Sequence, residues 1–405
     1  MGADVNVAVI GAGQAGLATS WHLKQQGVEH VVLEAGRVAE TWRSRRWDSF
    51  CLVTPNWTVR LPGAPYRGTD PDGYMSREEL VEHFQSWADS FQAPVEEGCR
   101  VSELRPDGDR FAIVTPDRTI LARTVVVATG AYQRPYRPKG AEQLPARVQQ
   151  LLAEEFTNET ALPKGSVLII GGGQTGCQIA EELHEAGRKV FLSCGRAPWT
   201  PRRFGGHDLV WWIIESGFWS RTIAALQSPA GRLISNPLTT GHGGGHDLHY
   251  RALHAMGVEL LGRYAGADER DVYFADDLAQ SMQAGDDLAR AFMKWVAALC
   301  EKRNLDIPWE VPPPAGFASR TKLDIDAEAI KSVIWTTGFR PDYGWIKAPS
   351  LVDDMGFPIQ TDGRSEVPGL YFMGVHFMRK AQSAVLYGVG EDADVVAKHI
   401  KENRT

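Results

Sequence analysis

The strongest constraint on this chain is a pattern that occurs twice. Residues 5–34 read VNVAVIGAGQAGLATSWHLKQQGVEHVVLE. The apolar run 5–10 has the composition of a strand buried on both faces. It passes into Gly11-Ala12-Gly13-Gln14-Ala15-Gly16, then a helical stretch that stops at Gly27, then a second apolar strand closed by the acid Glu34. Residues 166–192 repeat the series, with Gly171-Gly172-Gly173-Gln174-Thr175-Gly176 after an apolar run and a stop at Gly187. Gly11, Gly13, Gln14, Gly16 and Gly27 match Gly171, Gly173, Gln174, Gly176 and Gly187. A supersecondary unit repeated with its glycines in register predicts two similar halves.

The chemistry of G-x-G-x-x-G follows from its geometry. The first glycine allows a tight turn, the second lets backbone approach a pyrophosphate, and the third lets helix and strand pack closely. The helix start offers free N–H groups and a partial positive charge to phosphate. Glu34 stands about 20 residues on, where an acid accepts hydrogen bonds from a ribose. Both units are therefore expected to bind dinucleotides.

The copies differ where ligands are discriminated. Laying VVLEAGR (31–37) over VFLSCGR (190–196) sets Ser193 in the place of Glu34. Serine lifts the repulsion an acid would exert on a 2′-phosphate, and Arg196, with Arg202 and Arg203 beyond it, can supply positive charge. The expectation is FAD in the first unit and NADPH in the second. Arg37 takes the place of Arg196 in the first copy, so an ordinary surface arginine is the competing explanation.

Composition removes other classes. The 405 residues carry a net charge of −7, which argues against nucleic-acid or anionic-membrane partners. No apolar run is long enough to span a bilayer. The first glycine motif starts at residue 11, which leaves no room for a signal peptide and predicts a cytoplasmic protein. The five cysteines, Cys51, Cys99, Cys177, Cys194 and Cys300, form no C-x-x-C, so no dithiol centre is expected. His242-Gly-Gly-Gly-His246 lacks a third clustered ligand, and no metal site is expected.

The expected fold is α/β, with two Rossmann-like, three-layer dinucleotide-binding domains. Ser76-Arg77-Glu78-Glu79 is a capping box opening a helix to about residue 91. Segments 97–104, 110–114 and 119–122 suggest a strand meander. Val125-Val126-Val127-Ala128-Thr129-Gly130 and Ser332-Val333-Ile334-Trp335-Thr336-Thr337-Gly338 each look like a strand closing one unit. Residues 131–165 resemble a linker. The late strand ending at Gly374 and a helix from Gly388 to about residue 400 must return to the first unit. The expected division is 1–135 and 331–405 for FAD, with 136–330 inserted for NADPH. The inserted part carries an aromatic-rich helical segment, 199–254. Trp199, Phe204, Trp211, Trp212, Phe218 and Trp219 suit either core packing or a substrate-pocket wall. The glycine loop 241–247 suits either a connector or a cover over a site.

With these features in place, the chain resembles the two-dinucleotide-binding-domain flavoproteins, and within them the flavin-containing monooxygenases. Trp42 with its following arginines, Thr54-Pro55-Asn56 and Thr337-Gly338-Phe339-Arg340-Pro341-Asp342 carry the closer resemblance. The pattern is similar to short bacterial members related to the plant YUCCA-type enzymes. The resemblance implies that NADPH reduces FAD and that the reduced flavin forms a C4a-hydroperoxide with O₂. One oxygen then passes to a small substrate bearing nitrogen, sulfur or a carbonyl. It implies cofactor contacts at Gly11, Gly13, Gln14, Ala15, Gly16, Glu34, Ala35, Trp42, Arg43, Val101, Thr129, Gly130, Gly171, Gly173, Gln174, Thr175, Gly176, Arg196, Thr337, Gly338 and Gly374. It places Asn56 near the flavin as the catalytic amide; a turn-capping asparagine is the other reading. One family element is absent. The motif F-x-G-x-x-x-H-x-x-x-(Y/F) should precede the second glycine loop, yet 131–165 contains no histidine and keeps only fragments at Lys139-Gly140 and 151–156. A reductase that hands electrons to another acceptor is the alternative function. Self-association into a homo-oligomer is left open.

Overall fold

The computed structural model describes residues 4–233, 237–314 and 316–403. Two sheets organise the chain. The first has seven strands, with Asp4–Ile10 between Val31–Leu33 and Thr119–Val127 and parallel to both. Val95–Glu96 extends one edge, and Arg110–Val114 and Glu103–Asp107 extend the other. The late strand Leu370–Phe372 pairs in parallel with the end of Thr119–Val127. The helix Gln14–Gln25 packs along the last helix, Val389–Glu402. The C-terminal segment thus returns to the first unit.

The second sheet orders five parallel strands as Gln149–Leu152, Ile330–Trp335, Ser166–Ile170, Val190–Ser193 and Glu259–Leu261. Its inner strands are buried runs apart from Lys331, as are Val7 to Ile10 and Val125 to Val127 in the first sheet. Each valine or isoleucine removed from water there contributes about 1.5–3 kcal/mol, and burial on both faces explains why these strands show no polar alternation.

Three expectations change. Ile330–Trp335 lies inside the second sheet, so the chain leaves that unit after Trp335 rather than at 331. Residues 131–165 contribute the edge strand Gln149–Leu152; the prolines around it mask a strand whose pairing partner is almost two hundred residues away. The first meander strand is Glu103–Asp107 rather than 97–104, and Thr119–Val127 is one continuous strand. Its first half pairs antiparallel with Arg110–Val114 and its second half parallel with Leu370–Phe372.

The chain crosses between the sheets twice, and the crossings pair with each other: Arg134–Pro135 runs antiparallel to Phe339–Arg340. The capping box forms as expected. Glu79 N–H donates to Ser76 Oγ at 3.2 Å and Ser76 N–H to Glu79 Oε2 at 2.8 Å. The helix Arg77–Ser90 buries Leu80, Phe84 and Trp87.

Candidate functional site

Both glycine loops have the geometry that phosphate binding requires. Gly11 and Gly171 turn at φ of 108° and 114°, which a side chain resists. A Cβ at Gly16 would lie 1.8 Å from Gly11 O, and one at Gly176 would lie 1.9 Å from Gly171 O. A Cβ at Gly13, by contrast, would meet nothing within 4 Å, so the loop opens toward a ligand there. Gly13 and Gly173 begin their helices without a side-chain cap, leaving first-turn N–H groups for an anion. These cradles fit a dinucleotide pyrophosphate.

Around the first loop, the Glu34 carboxylate accepts Ala12 N–H at 2.7 Å and Gly36 N–H at 2.8 Å. It braces the loop against the turn that follows the second strand. Each oxygen keeps further lone-pair capacity for a ribose. Ala35 is exposed at that turn and Ala15 is buried under Gly374, whose added Cβ would meet Ala15 Cβ at 2.8 Å. Gln14 Nε2 donates to Ala384 O at 2.6 Å. Thr129 Oγ1 accepts from Gln133 Nε2 at 2.8 Å, and Gly130 is open. Val101 packs on the first core, while Trp42 packs against both cores and so spans the two units. Arg43 reaches Val38 O at 3.4 Å.

Around the second loop the register differs from the expectation. Gly11 N–H donates to Leu33 O, and Gly171 N–H donates to Ser193 O. Ile10 pairs with Leu33 and Ile170 with Ser193. The structural counterpart of Ser193 is therefore Leu33, and that of Glu34 is Cys194. The sequence overlay slipped by one residue, because the two apolar strands look alike when shifted. In a strand a one-residue slip reverses the face: Ser193 is buried and its hydroxyl donates to Gly262 O at 2.9 Å. The acid is absent all the same, since Cys194 is a buried thiol.

Thr337 and Gly338 also belong here. They follow Ile330–Trp335, and a Cβ at Gly171 would meet Thr336 O at 2.6 Å. Thr336 Oγ1 bonds Gly171 O at 2.6 Å, while Thr337 Oγ1 donates to Tyr136 O. Gln174 donates to Thr239 O, and Thr175 is half-buried on the same turn. Arg196 is exposed, with no hydrogen bond or ion pair among the described residues.

Arg202 is different. It is 1% exposed, paired with Asp208 at 2.8 Å, and donates to Thr239 Oγ1 at 2.6 Å and Val53 O at 2.7 Å. Its guanidinium also covers the Tyr74 ring at 4.4 Å. Enclosed this way, it cannot reach a 2′-phosphate; it ties the second unit to the 52–54 segment of the first. Arg203 donates to Gly245 O at 2.9 Å and Gly244 O at 3.2 Å, holding the glycine loop. That loop rests on the helix Gln174–Glu185 through His246–Glu181 at 2.6 Å and His242–Glu185 at 3.5 Å. The two histidines meet carboxylates singly, and no group of metal-ligating residues occurs among the described residues.

Asn56 is 5% exposed, and both ends of its amide bind backbone: Nδ2 donates to Asp70 O at 3.0 Å and Oδ1 accepts Met75 N–H at 2.7 Å. These bonds favour the turn-holding reading. The aromatic segment divides. Phe204 and Trp212 stack at 5.4 Å in a core cluster with Phe292, whereas Trp219 faces Tyr387.

Tyr132 and His376 were missed by the sequence reading, whereas Phe339 and Arg46 lie in segments it singled out. Tyr132 is 45% exposed, and the burial of the rest of its ring pushes its phenol up. It faces His376 at 5.2 Å and Phe339 at 5.5 Å. Burial holds His376 down at about 4. Arg46 lies over Trp42 at 5.2 Å and Phe50 at 5.6 Å, and burial lowers it. Each of these residues lies one to four positions past an expected contact, at Gly130, Gly338, Gly374 or Trp42.

A family model described as pyridine nucleotide-disulphide oxidoreductase matches residues 8–213. The chain belongs to that family. It is 31% identical over 398 residues to an uncharacterized CzcO-like oxidoreductase of Geobacillus kaustophilus, covering 98% of both chains. It is 29% identical over 184 residues to a probable indole-3-pyruvate monooxygenase of Arabidopsis thaliana, 43% of each chain. Among solved structures, the flavin-containing monooxygenase of Stenotrophomonas maltophilia superposes with TM-score 0.68 at 23% identity, over the full length of both chains. The α/β architecture with two dinucleotide-binding units and the resemblance to flavin monooxygenases are thereby established. No described helix is long and apolar enough to cross a membrane.

Proposed function

We propose that this chain is an NADPH-dependent flavin monooxygenase acting on a small nitrogen-, sulfur- or carbonyl-bearing substrate. That it is an FAD- and NADPH-dependent oxidoreductase follows from its family. The observation that carries the assignment of the units is the contrast at the strand ends: Glu34 bridges two backbone N–H groups in the first, and a thiol stands there in the second. The acid suits the FAD ribose; its loss, with unpartnered Arg196 two residues on, suits NADPH.

The bound flavin supplies hydride acceptance from NADPH and activation of O₂. The protein's part is position and shelter. The helix starts at Gly13 and Gly173 would hold the two pyrophosphates. Arg202 fixes one unit on the other, and Tyr132, Phe339 and His376 cluster beside the paired crossings. With burial keeping His376 neutral at ordinary pH, it can accept or donate a hydrogen bond there without carrying charge. The test is the balance of NADPH and O₂ consumed against H₂O₂ released, over a panel of amines, sulfides and ketones. A substrate that suppresses H₂O₂ while NADPH oxidation continues supports oxygen transfer. Stoichiometric H₂O₂ with every substrate, together with fast reduction of artificial acceptors, would favour the reductase.

A further inference from the structure

The two loops differ at their second position, where the first has Ala12 and the second Gly172. The reason lies on a distant element. Tyr250, at the start of the helix Tyr250–Met256, is 5% exposed and sets its hydroxyl against the second loop. That hydroxyl lies 2.7 Å from Gly172 O and 2.9 Å from Gly195 O, and accepts Gly195 N–H at 3.2 Å. A Cβ on Gly172 would come within 2.5 Å of the Tyr250 hydroxyl oxygen and 2.7 Å of the ring, so Tyr250 requires glycine there.

The constant spacing of 160 between the units (171 − 11 and 187 − 27) makes Gly172 the counterpart of Ala12 and Gly195 that of Ala35. In the first unit, Glu34 ties Ala12 to Gly36 across this gap. In the second, Cys194 cannot, because its thiol turns to Leu192 O at 3.5 Å. The tie from glycine loop to strand-end turn is made by Tyr250 instead.

We infer that Tyr250 is a positioning and specificity-determining residue of the second nucleotide site, bracing the loop as Glu34 does in the first but without a negative charge. This rests on the reading of that unit as the NADPH site. A carboxylate brace would stand beside the adenosine ribose and repel a 2′-phosphate. A phenol braces the same backbone and leaves that corner neutral, with Arg196 open beside it. Burial raises the phenol well above its usual range, so it is neutral at ordinary pH.

The test uses purified flavin-loaded protein and titration calorimetry with NADP⁺ and NAD⁺. Tyr250→Phe keeps the ring and removes the hydroxyl. It should weaken NADP⁺ about tenfold, the effect of one buried hydrogen-bonding group. FAD content should stay at the wild-type level, and the KM for NADPH should rise in step while kcat at saturation stays within about twofold. Adding Cys194→Glu to Tyr250→Phe restores an acidic brace and should weaken NADP⁺ further while sparing NAD⁺. Unchanged NADP⁺ affinity in Tyr250→Phe would overturn the inference. So would equal losses of FAD and NADP⁺, which mark general loosening. If wild-type protein binds no NADP⁺ at all, the assignment of the second unit fails instead.

Discussion

Replacing Arg202 with methionine should separate two roles for this side chain. The guanidinium is 1% exposed and serves Asp208, Thr239 Oγ1 and Val53 O at 2.6–2.8 Å. Removing one partner of a buried ion pair typically costs about 3–5 kcal/mol. Asp208 keeps two other partners, Tyr74 Oη at 3.0 Å and Val210 N–H at 2.8 Å, which holds the loss near the lower end. About 3 kcal/mol should appear in urea unfolding, or about 6–12 °C in Tm for units of this size. Asp208→Asn in a double-mutant cycle should show coupling of about 1–3 kcal/mol. The ratio of KM for NADPH to KM for NADH should stay at the wild-type value. A stability loss below about 1 kcal/mol would refute the clamp. A selective rise in KM for NADPH would return Arg202 to the 2′-phosphate.

Gly16→Ala should abolish FAD loading, since its Cβ would fall 1.8 Å from Gly11 O; flavin absorbance after purification checks this. Asn56→Ala leaves Asp70 O and Met75 N–H without their partner and should destabilise by about 1–3 kcal/mol in urea, more than it changes kcat. Arg196→Ala should raise KM for NADPH at least about tenfold over its effect on NADH. Burial holds His249 at about 4, against 6.5 when unfolded, and its Nδ1 caps the helix Tyr250–Met256 by accepting Ala252 N–H at 3.2 Å. The unfolded chain therefore takes up the proton first. Stability is intact above about pH 6.5 and should fall by about 1–3 kcal/mol as pH drops toward 4. His249→Asn keeps a cap and should flatten that slope in pH-dependent unfolding.

The glycine loops were legible because their constraints are local: a positive φ at Gly11 and a close approach at Gly16 admit only glycine. The strand Gln149–Leu152 was not legible, because nothing near it in the chain marks its partner Ile330–Trp335. The fate of Arg202 was hidden for a similar reason. Arg196, Arg202 and Arg203 look equivalent in sequence, and only packing against Val53 and Tyr74 separates them. Ser193 was misplaced because the two apolar strands match equally well when shifted by one residue, although the glycine spacing holds the correct register. Tyr250 left one trace, the glycine at 172 where its twin has alanine.

On the proposed function, electrons from NADPH drive the transfer of one oxygen atom from O₂ to the substrate. The most direct measurement is mass spectrometry of the product formed under ¹⁸O₂ with NADPH, using the substrate that best suppresses H₂O₂. The account predicts one ¹⁸O atom per product molecule for each NADPH oxidised. Turnover with no label in the product, and all reduced oxygen recovered as H₂O₂, would contradict it.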